Sequence, residues 1–358
     1  MAHRVFVHIG APKSGTTYLQ SVLWNNRDRL AERGLLMPGE RIFDHELAVT
    51  AARHPEPRNP HQRRAGATWR RLHDAIAEFD GEAVLSNEWF VWLTRPQAQR
   101  FLHELAPAEV HVVFTARSFV HQLPAAWQER LKLGVAHSFD EFLATLDQDD
   151  DRWTWAALDP AIALPRWVDP LPPEQIHVIT VPPPDQDRGL LWRRMATTLG
   201  IDPDAYDTTR TDPNESLGAE TARLLESLGP TLRSAIDADN VKWTEQYRWL
   251  RRYVGHKLLV PRGGTRIRVS DADRSALHAR AVRTAESIKS AGYHVEGDLE
   301  DLVTADVPAG SRTPESVTDA EQLTAATALI GDLLRDVRRA TLRAEAAERR
   351  LEQRGDTE

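Results

Sequence analysis

The chain has 358 residues, of which 41% are hydrophobic, and its 45 Lys and Arg against 53 Asp and Glu give a net charge of -8. Because binding to duplex nucleic acid requires a basic surface, this balance argues against a nucleic-acid partner. The absence of cysteine excludes disulfides, thiolate metal ligands and cysteine nucleophiles. No apolar run reaches the roughly 20 residues of a membrane-spanning helix, and no signal peptide precedes the first strand-like run, so we expect a soluble, cytoplasmic protein.

Short β-rich runs alternate with helical patterns over the first half of the chain. Apolar runs predict buried strands at residues 4–9, 83–85, 110–114 and 176–181. Helical periodicity appears between them, at about residues 16–33, 68–79, 95–105 and 119–133. This alternation predicts a three-layer α/β fold with a mostly parallel central sheet. Ligands in such folds bind beyond the carboxyl ends of the strands.

A glycine-containing turn, Gly-Ala-Pro-Lys-Ser-Gly-Thr-Thr at residues 10–17, follows the first predicted strand and opens the first helix. Such a turn directs backbone N–H groups and the positive end of a helix dipole at one point, which favours phosphate. Its glycine spacing matches the P-loop of nucleoside triphosphatases. The lysine of that motif would stand at Thr16, however, and here it stands inside the loop, at Lys13.

The strand predicted at 110–114 is a second argument against Mg-ATP as the ligand. It leads into Thr115-Ala116-Arg117, with no acidic residue to hold magnesium. A phosphate-binding, P-loop-like turn with a displaced lysine and no metal ligand favours a different nucleotide donor, and we expect no metal.

The turn resembles the 5′-phosphosulfate-binding loop of sulfotransferases that use 3′-phosphoadenosine-5′-phosphosulfate. Further segments resemble a bacterial branch of that family: Ala116-Arg117, Pro124-Ala125-Ala126-Trp127-Gln128-Glu129, Val181-Pro182-Pro183-Pro184 and Asn214-Glu215-Ser216-Leu217. The resemblance covers roughly residues 1–300. It implies sulfuryl transfer from this donor to a hydroxyl or amine of a carbohydrate, glycolipid or small metabolite.

Roles in the loop follow from the resemblance. Lys13 would lie against the oxygen that bridges phosphorus and sulfur, where it stabilises the charge that grows as the S–O bond breaks. The residues Pro12, Ser14, Gly15, Thr16 and Thr17 would complete the site, with N–H and hydroxyl donors to the 5′-phosphate. Helix capping is a second reading of the two threonines, compatible with the first.

The general base is predicted after the strand at 83–85. The family uses a histidine or a glutamate there, and Ser86-Asn87-Glu88-Trp89 makes Glu88 the candidate. A helix-capping role for this carboxylate is the alternative. His8 and His111 lie inside predicted strands, where packing is expected. His45 and His121 remain open as substrate contacts.

Arg117 matches the family's 3′-phosphate arginine. The family places a serine eight positions later, and this chain has Ala125 there, so half of that site has no counterpart. The alternative for Arg117 is an ion pair with a nearby carboxylate.

Residues 241–269 are locally basic, with Glu245 as their only acid. The cations are Lys242, Arg248, Arg251, Arg252, Lys257, Arg262, Arg266 and Arg268. They could focus a polyanionic donor, or form a solvated helix face. The sequence Pro261-Arg262-Gly263-Gly264 resembles the family's C-terminal loop over the 3′-phosphate, which assigns donor contacts to Arg262 and Gly263.

The C-terminal part is predicted to be separate from the rest. Pro and Gly mark residues 304–318 as a linker between a sulfotransferase domain at 1–303 and a long helix at 319–354. Hydrophobic residues recur along the helix every seven positions, at Leu323, Ile330, Val337, Ala344 and Leu351. Their spacing predicts a weak coiled coil or docking, and hence a possible homo-oligomer.

Two other functions fit the pattern less well. A P-loop kinase or nucleotidase with a degenerate loop would need Mg-ATP, which the displaced lysine disfavours. A non-catalytic scaffold would have no need of both Lys13 and Glu88. The acceptor is open, and exposed members of the 11 tryptophans are candidates to stack on a sugar or an aromatic ring.

Overall fold

The structure is a computed structural model that describes residues 2–148, 153–169, 171–187, 189–209, 216–237, 243–304 and 307–355. The chain forms two compact units. The first comprises Met1–Ala126, Phe142–Asn214 and Ser270–Asp306, and the second Trp127–Glu141, Glu215–Val269 and Val307–Glu358. Asn214, Glu215 and Lys242, which the sequence singled out, lie outside the described residues. No helix in the described ranges is long and apolar enough to cross a membrane.

The first unit is built on one parallel sheet of six strands among the described residues. They are β1 (Arg4–Gly10), β2 (Leu35–Leu36), β3 (Glu82–Ser86), β4 (Glu109–Ala116), β5 (Ile176–Thr180) and β6 (His294–Glu296). Their order is β2-β3-β1-β4-β5-β6, and every neighbouring pair is parallel. The predicted α/β class is therefore confirmed.

Helices connect the strands and continue to the C-terminus. Their bounds are α1 (Thr16–Asn25), α2 (Arg27–Glu32), α3 (Asp44–Arg53), α4 (Pro60–Glu78), α5 (Arg95–Glu104), α6 (Phe119–Lys132), α7 (Phe139–Thr145), α8 (Trp155–Leu158), α9 (Pro160–Ala163), α10 (Leu190–Thr198), α11 (Ala219–Asp237), α12 (Trp243–Gln246), α13 (Asp271–Ser290), α14 (Glu300–Val303) and α15 (Asp319–Gly355). A π-helical segment, Tyr247–Leu259, continues α12.

Both faces of the sheet are buried, which explains why its strands are almost continuously apolar. Val5 and Val7 of β1 belong to a core that includes residues of α3, α4 and α5. Phe6, on the opposite face, joins a second core with residues of α1, α2 and α10. The sheet is thus the middle of three layers.

The strand order places a topological switch beside β1. After β1 the chain builds β3 and β2 on one side, and then β4, β5 and β6 on the other. In open parallel sheets, ligands bind at the carboxyl ends of the strands that flank such a switch. Here those ends belong to β1 and β4, and they lead into the glycine-containing turn and Arg117.

The second unit contains α11, the π-helical segment and α15. The long C-terminal helix is confirmed, and it packs on this unit through Leu329, which is 4% exposed. The segment 307–318 is also held: Arg312 exchanges backbone hydrogen bonds with Arg266 and Arg268, at 2.9 Å each. The predicted division at residues 303 and 318 stays a prediction.

Some elements differ from the sequence-based expectation. The helix predicted at 16–33 is two helices, because the chain turns at Asn26, whose side-chain amide donates to Val22 O at 2.8 Å. The strands β2 and β6 and the helix α3 were not predicted. The two strands are two and three residues long, too short for an alternating pattern to be recognised.

Candidate functional site

The turn between β1 and α1 has an unusual backbone. Gly10 and Gly15 both have φ of 85°, and Lys13 has φ of 64°, the only positive value at a non-glycine residue in the described chain. A β-carbon at Gly10 would lie 2.7 Å from Glu88 Cβ, and one at Gly15 would lie 2.5 Å from Leu191 Cδ2. At both positions glycine is favoured for two reasons: it adopts a positive φ at little cost, and a β-carbon would come too close to the neighbouring side chain.

A buried polar network fixes the turn from below. The Ser14 hydroxyl donates to Ala11 O and contacts Thr115 Oγ1 at 2.5 Å. His8 in β1 reaches Ser86 Oγ at 2.7 Å and Thr115 Oγ1 at 3.4 Å. Burial lowers the pKa of His8 to about 3, so the ring is neutral. His8 is thus a packing residue, as predicted, and it joins three neighbouring strands beneath the turn.

Arg117, at the end of β4, ties down the top of the same turn. Its Nη1 donates to the Lys13 carbonyl at 3.0 Å. Burial lowers the pKa of Arg117 to about 10, which leaves the guanidinium charged at neutral pH. Gln122 of α6 adds a second anchor, because its amide donates to Pro12 O at 2.9 Å. No sequence pattern predicts this contact.

The predicted loop residues differ in what they can offer a ligand. Pro12, Ser14 and Thr16 are buried, whereas Lys13 and Gly15 are half-buried and Thr17 is exposed. Because the Ser14 hydroxyl is engaged inside the protein, only its main-chain N–H is suited to a ligand. The first turn of α1 begins at Thr16, and N–H groups of a first turn have no partner within their own helix.

Glu88 lies beside the turn, as its place after β3 predicts. It opens a short 3₁₀ helix, Glu88–Trp92, and Asn87 caps this helix by accepting from Trp89 N at 2.9 Å. The capping role is therefore taken by Asn87. Gln20 of α1 donates to Glu88 Oε2 at 2.9 Å, which orients the carboxylate.

The two histidines left open by the sequence have different surroundings. His45 is 0% exposed; its Nδ1 accepts from Ser86 N at 3.1 Å, and its Nε2 donates to Pro38 O at 2.8 Å. His45 therefore joins α3 to the end of β3 and has no surface to offer a substrate. His121 instead lines a pocket beside Arg117.

That pocket lies at the carboxyl ends of β4 and β5. Its walls are Arg117, Ser118, His121, Val181, Pro182, Pro183, Pro184, Asp301 and Thr304. The proline-rich segment singled out in the sequence is thus one wall of a cavity, and Arg117 belongs to both the pocket and the turn. Ala125, on α6, supplies no hydroxyl.

Arg262 and Gly263 lie in the second unit. The Arg262 guanidinium pairs with Asp332 of α15, and Lys257 Nζ lies 2.5 Å from Asp336 of the same helix. Arg251 pairs with Glu129. Carboxylates distant in sequence therefore neutralise part of the basic stretch. Its role toward a donor, and those of Arg262 and Gly263, stay predictions.

One acidic residue of this region was missed by the sequence reasoning. Glu46, on α3, lies close enough to Glu88 for the two charges to interact, and burial together with Glu88 raises the pKa of Glu46 to about 7. Its raised pKa distinguishes Glu46 from other helix carboxylates, and a raised pKa cannot be recognised in the sequence.

Across the described residues, no group of three or more His, Asp or Glu side chains is arranged to hold a metal ion. Comparisons with family models, with curated proteins and with solved structures find no match to this chain.

Proposed function

We propose that this protein is a sulfotransferase that moves a sulfuryl group from 3′-phosphoadenosine-5′-phosphosulfate to an acceptor hydroxyl or amine. The observation that carries the proposal is the bond from Arg117 to the Lys13 carbonyl at the switch of a parallel sheet. It joins two cations and a helix N-terminus at one sheet edge, and these three features favour a polyanionic nucleotide.

The donor's two anionic ends would be held separately. The 5′-phosphosulfate would lie in the P-loop-like turn, on the N–H groups of residues 14–17. The 3′-phosphate would be held by Arg117 at the entrance of the adjoining pocket. Ser118 and His121, which stand on the pocket wall, would supply the hydrogen-bond donor that the family takes from its serine and that Ala125 lacks.

The chemistry requires one bond to form as another breaks. The acceptor oxygen attacks sulfur, the S–O bond to the 5′-phosphate breaks with its electron pair, and the acceptor loses a proton. Lys13 would stabilise the charge on the departing phosphate. Glu88 is half-buried, and its Cβ lies beside Gly10, the first residue of the turn. From this position Glu88 would take the proton.

The test is an acceptor screen with ³⁵S-labelled donor, in buffer containing EDTA, over carbohydrates, glycolipids and phenols. Transfer by the wild type and its loss in Lys13→Ala are expected, while the exposed surface variant Glu78→Gln should act as wild type. Donor that is bound but never transferred to any acceptor, or transfer retained by Lys13→Ala, would count against the proposal.

A further inference from the structure

The connection between α3 and α4 carries a local excess of positive charge. Residues 53–64, called the basic corner below, contain four arginines and two histidines but one acidic residue. The pKa of His54 is lowered by burial and, after that, by Arg53, Arg58 and His61, so these groups lie close together. In a chain with a net charge of -8, such a cluster concentrates positive potential at one place.

Three arginines of the basic corner are able to contact a ligand. Arg58, Arg63 and Arg64 are exposed, and within the described ranges no hydrogen bond or ion pair engages their side chains. Arg71, farther along α4, is instead paired with Asp44 at 2.9 Å. The charge of the basic corner is therefore directed at solvent and is not neutralised by the fold.

The backbone of the basic corner is fixed before any ligand binds. Asn59 caps α4 by accepting from Gln62 N at 2.9 Å, and the Gln62 side chain accepts from Arg58 N at 2.7 Å. Three prolines in the corner restrict its φ angles further. A surface that is already ordered loses little entropy when it binds a ligand.

The basic corner lies at the same edge of the sheet as Glu88. Helix α3 begins beside the end of β3, where Ser86 N donates to His45 Nδ1 at 3.1 Å. It ends at Arg53, whose carbonyl accepts from Gln97, in the first turn of α5, at 3.2 Å. Because His45 and Arg53 are eight positions apart on α3, the corner begins about 12 Å from the carboxyl end of β3.

The exposed arginines favour a ligand with several negative charges, and nearby indoles favour a carbohydrate. Trp89 and Trp92 follow Glu88 in its 3₁₀ helix, are half-buried, and have ring centroids 5.9 Å apart. The exposed part of an indole can pack on the apolar face of a sugar ring. A lipid surface is disfavoured, because residues 53–64 contain no large apolar side chain to insert into it.

We propose that the basic corner binds the anionic groups of the acceptor, and that this acceptor is a carbohydrate bearing carboxylates or sulfates. Its role as an acceptor rests on the proposed function. A hydroxyl of the carbohydrate would lie at Glu88, where its oxygen attacks sulfur and its proton passes to the carboxylate. The S–O bond to the 5′-phosphate of the donor breaks with its electron pair.

The first experiment measures binding without turnover. In calorimetric titration of the full chain, a short oligogalacturonate should bind with an affinity that falls as salt is added. A neutral malto-oligosaccharide of the same length should bind at least about tenfold more weakly. Arg63→Glu combined with Arg64→Glu should lower the affinity for oligogalacturonate at least about tenfold, since two attractive charges become repulsive.

The matched control is Arg100→Glu combined with Arg283→Glu, which changes the net charge equally at exposed positions of α5 and α13. It should bind oligogalacturonate as the wild type does. No binding at low salt, or the same affinity in the Arg63 and Arg64 double variant as in the wild type, would overturn the proposal. So would tighter binding of a thymidine oligonucleotide or of phosphatidylserine vesicles through the same two arginines.

The second experiment uses acceptor kinetics with labelled donor. The Arg63 and Arg64 double variant should raise KM for a carboxylated or sulfated carbohydrate about tenfold and leave kcat unchanged, because the corner holds substrate and transition state equally. KM for a neutral acceptor should not change. Sulfation with an unmoved KM for the anionic acceptor would overturn the proposal and leave the proposed function standing. If oligogalacturonate binds through the two arginines and no carbohydrate is sulfated, the basic corner stands as an anionic-carbohydrate site and the proposed function fails.

Discussion

Arg117 and Lys13 are joined through the backbone: the Arg117 guanidinium donates to the Lys13 carbonyl across 3.0 Å. The side chain at the end of β4 thus holds in place the residue that carries the second cation of the site. Because Lys13 has a left-handed backbone that costs about 1–2 kcal/mol, an external tie of this kind stabilises the turn.

Arg117→Ala should weaken binding of 3′-phosphoadenosine-5′-phosphate by about 2–3 kcal/mol, the cost of losing a charge-assisted contact. Adenosine 5′-phosphosulfate should lose only about 1 kcal/mol, through the loosened turn. Calorimetric titration of both ligands measures the difference, with Arg95→Ala as the control. Equal losses for the two ligands would show that Arg117 does not contact the 3′-phosphate.

Lys13 can be tested for strain and charge separately. Lys13→Gly should be more stable to urea than Lys13→Ala by about 1 kcal/mol, because glycine adopts a positive φ at little cost. Both variants lack the ammonium group, so both should bind donor poorly. If the two variants unfold at the same urea concentration, the turn does not hold residue 13 in the left-handed region.

His8 should make stability depend on pH. Its pKa in the folded chain is about 3, against 6.5 for a free imidazole, so on acidification the unfolded chain takes up a proton first. The contribution of neutral, buried His8 to the free energy of unfolding is complete above pH 6.5, and it is lost as the pH falls toward 3. Between pH 7.5 and 5, His8 should account for about 2 kcal/mol of lost stability.

The comparison for this prediction is His8→Gln, unfolded by urea at both pH values. The variant should be less stable than the wild type at pH 7.5, and its stability should fall less between the two. A parallel fall in both proteins would mean that His8 is not held neutral.

A stripe of large aliphatic residues on α15 is exposed. Leu323, Ile330, Leu334 and Val337 are 60–68% exposed, whereas Leu329 packs inward. The sequence-based coiled-coil prediction therefore applies to this outer face, with Leu334 added. Deleting the helix would also remove the partners of Lys257 and Arg262, so substitutions are the cleaner test.

Ile330→Glu combined with Val337→Glu should lower the oligomeric state in light scattering, because charges would be buried in the seam. Donor binding should be unaffected. Arg349→Glu, on an exposed position of the same helix, is the control. If the wild type and the double variant have the same mass, α15 does not mediate self-association.

Four of the six strands, β1, β3, β4 and β5, were predictable because they are buried on both faces and their sequences are apolar runs. The turn at 10–17 was predictable because glycine is required there and only a few sequences satisfy it. The short β6 was not predictable, since its three residues, His-Val-Glu, carry no β pattern.

Long-range contacts account for most of what the sequence could not provide. Asp332 and Asp336 pair with cations about 70–80 positions earlier, so the basic stretch appeared more charged than it is. Likewise, the pKa of Glu46 is raised by burial and by Glu88, which is 42 positions away. Neither cause can be recognised from the residues next to Glu46 in the sequence.

Calorimetric titration shows whether the protein binds the 3′-phosphorylated nucleotide: the wild type is titrated with 3′-phosphoadenosine-5′-phosphate in EDTA, with ADP under the same conditions, and with Mg-ATP in buffer containing magnesium. If Lys13 and Arg117 hold the two phosphates, binding of 3′-phosphoadenosine-5′-phosphate should need no metal and should weaken with salt. ADP should bind at least about tenfold more weakly, since one 3′-phosphate contact is worth more than about 1.4 kcal/mol. Binding of Mg-ATP in preference to the 3′-phosphorylated nucleotide, with loss of affinity when magnesium is removed, would contradict it.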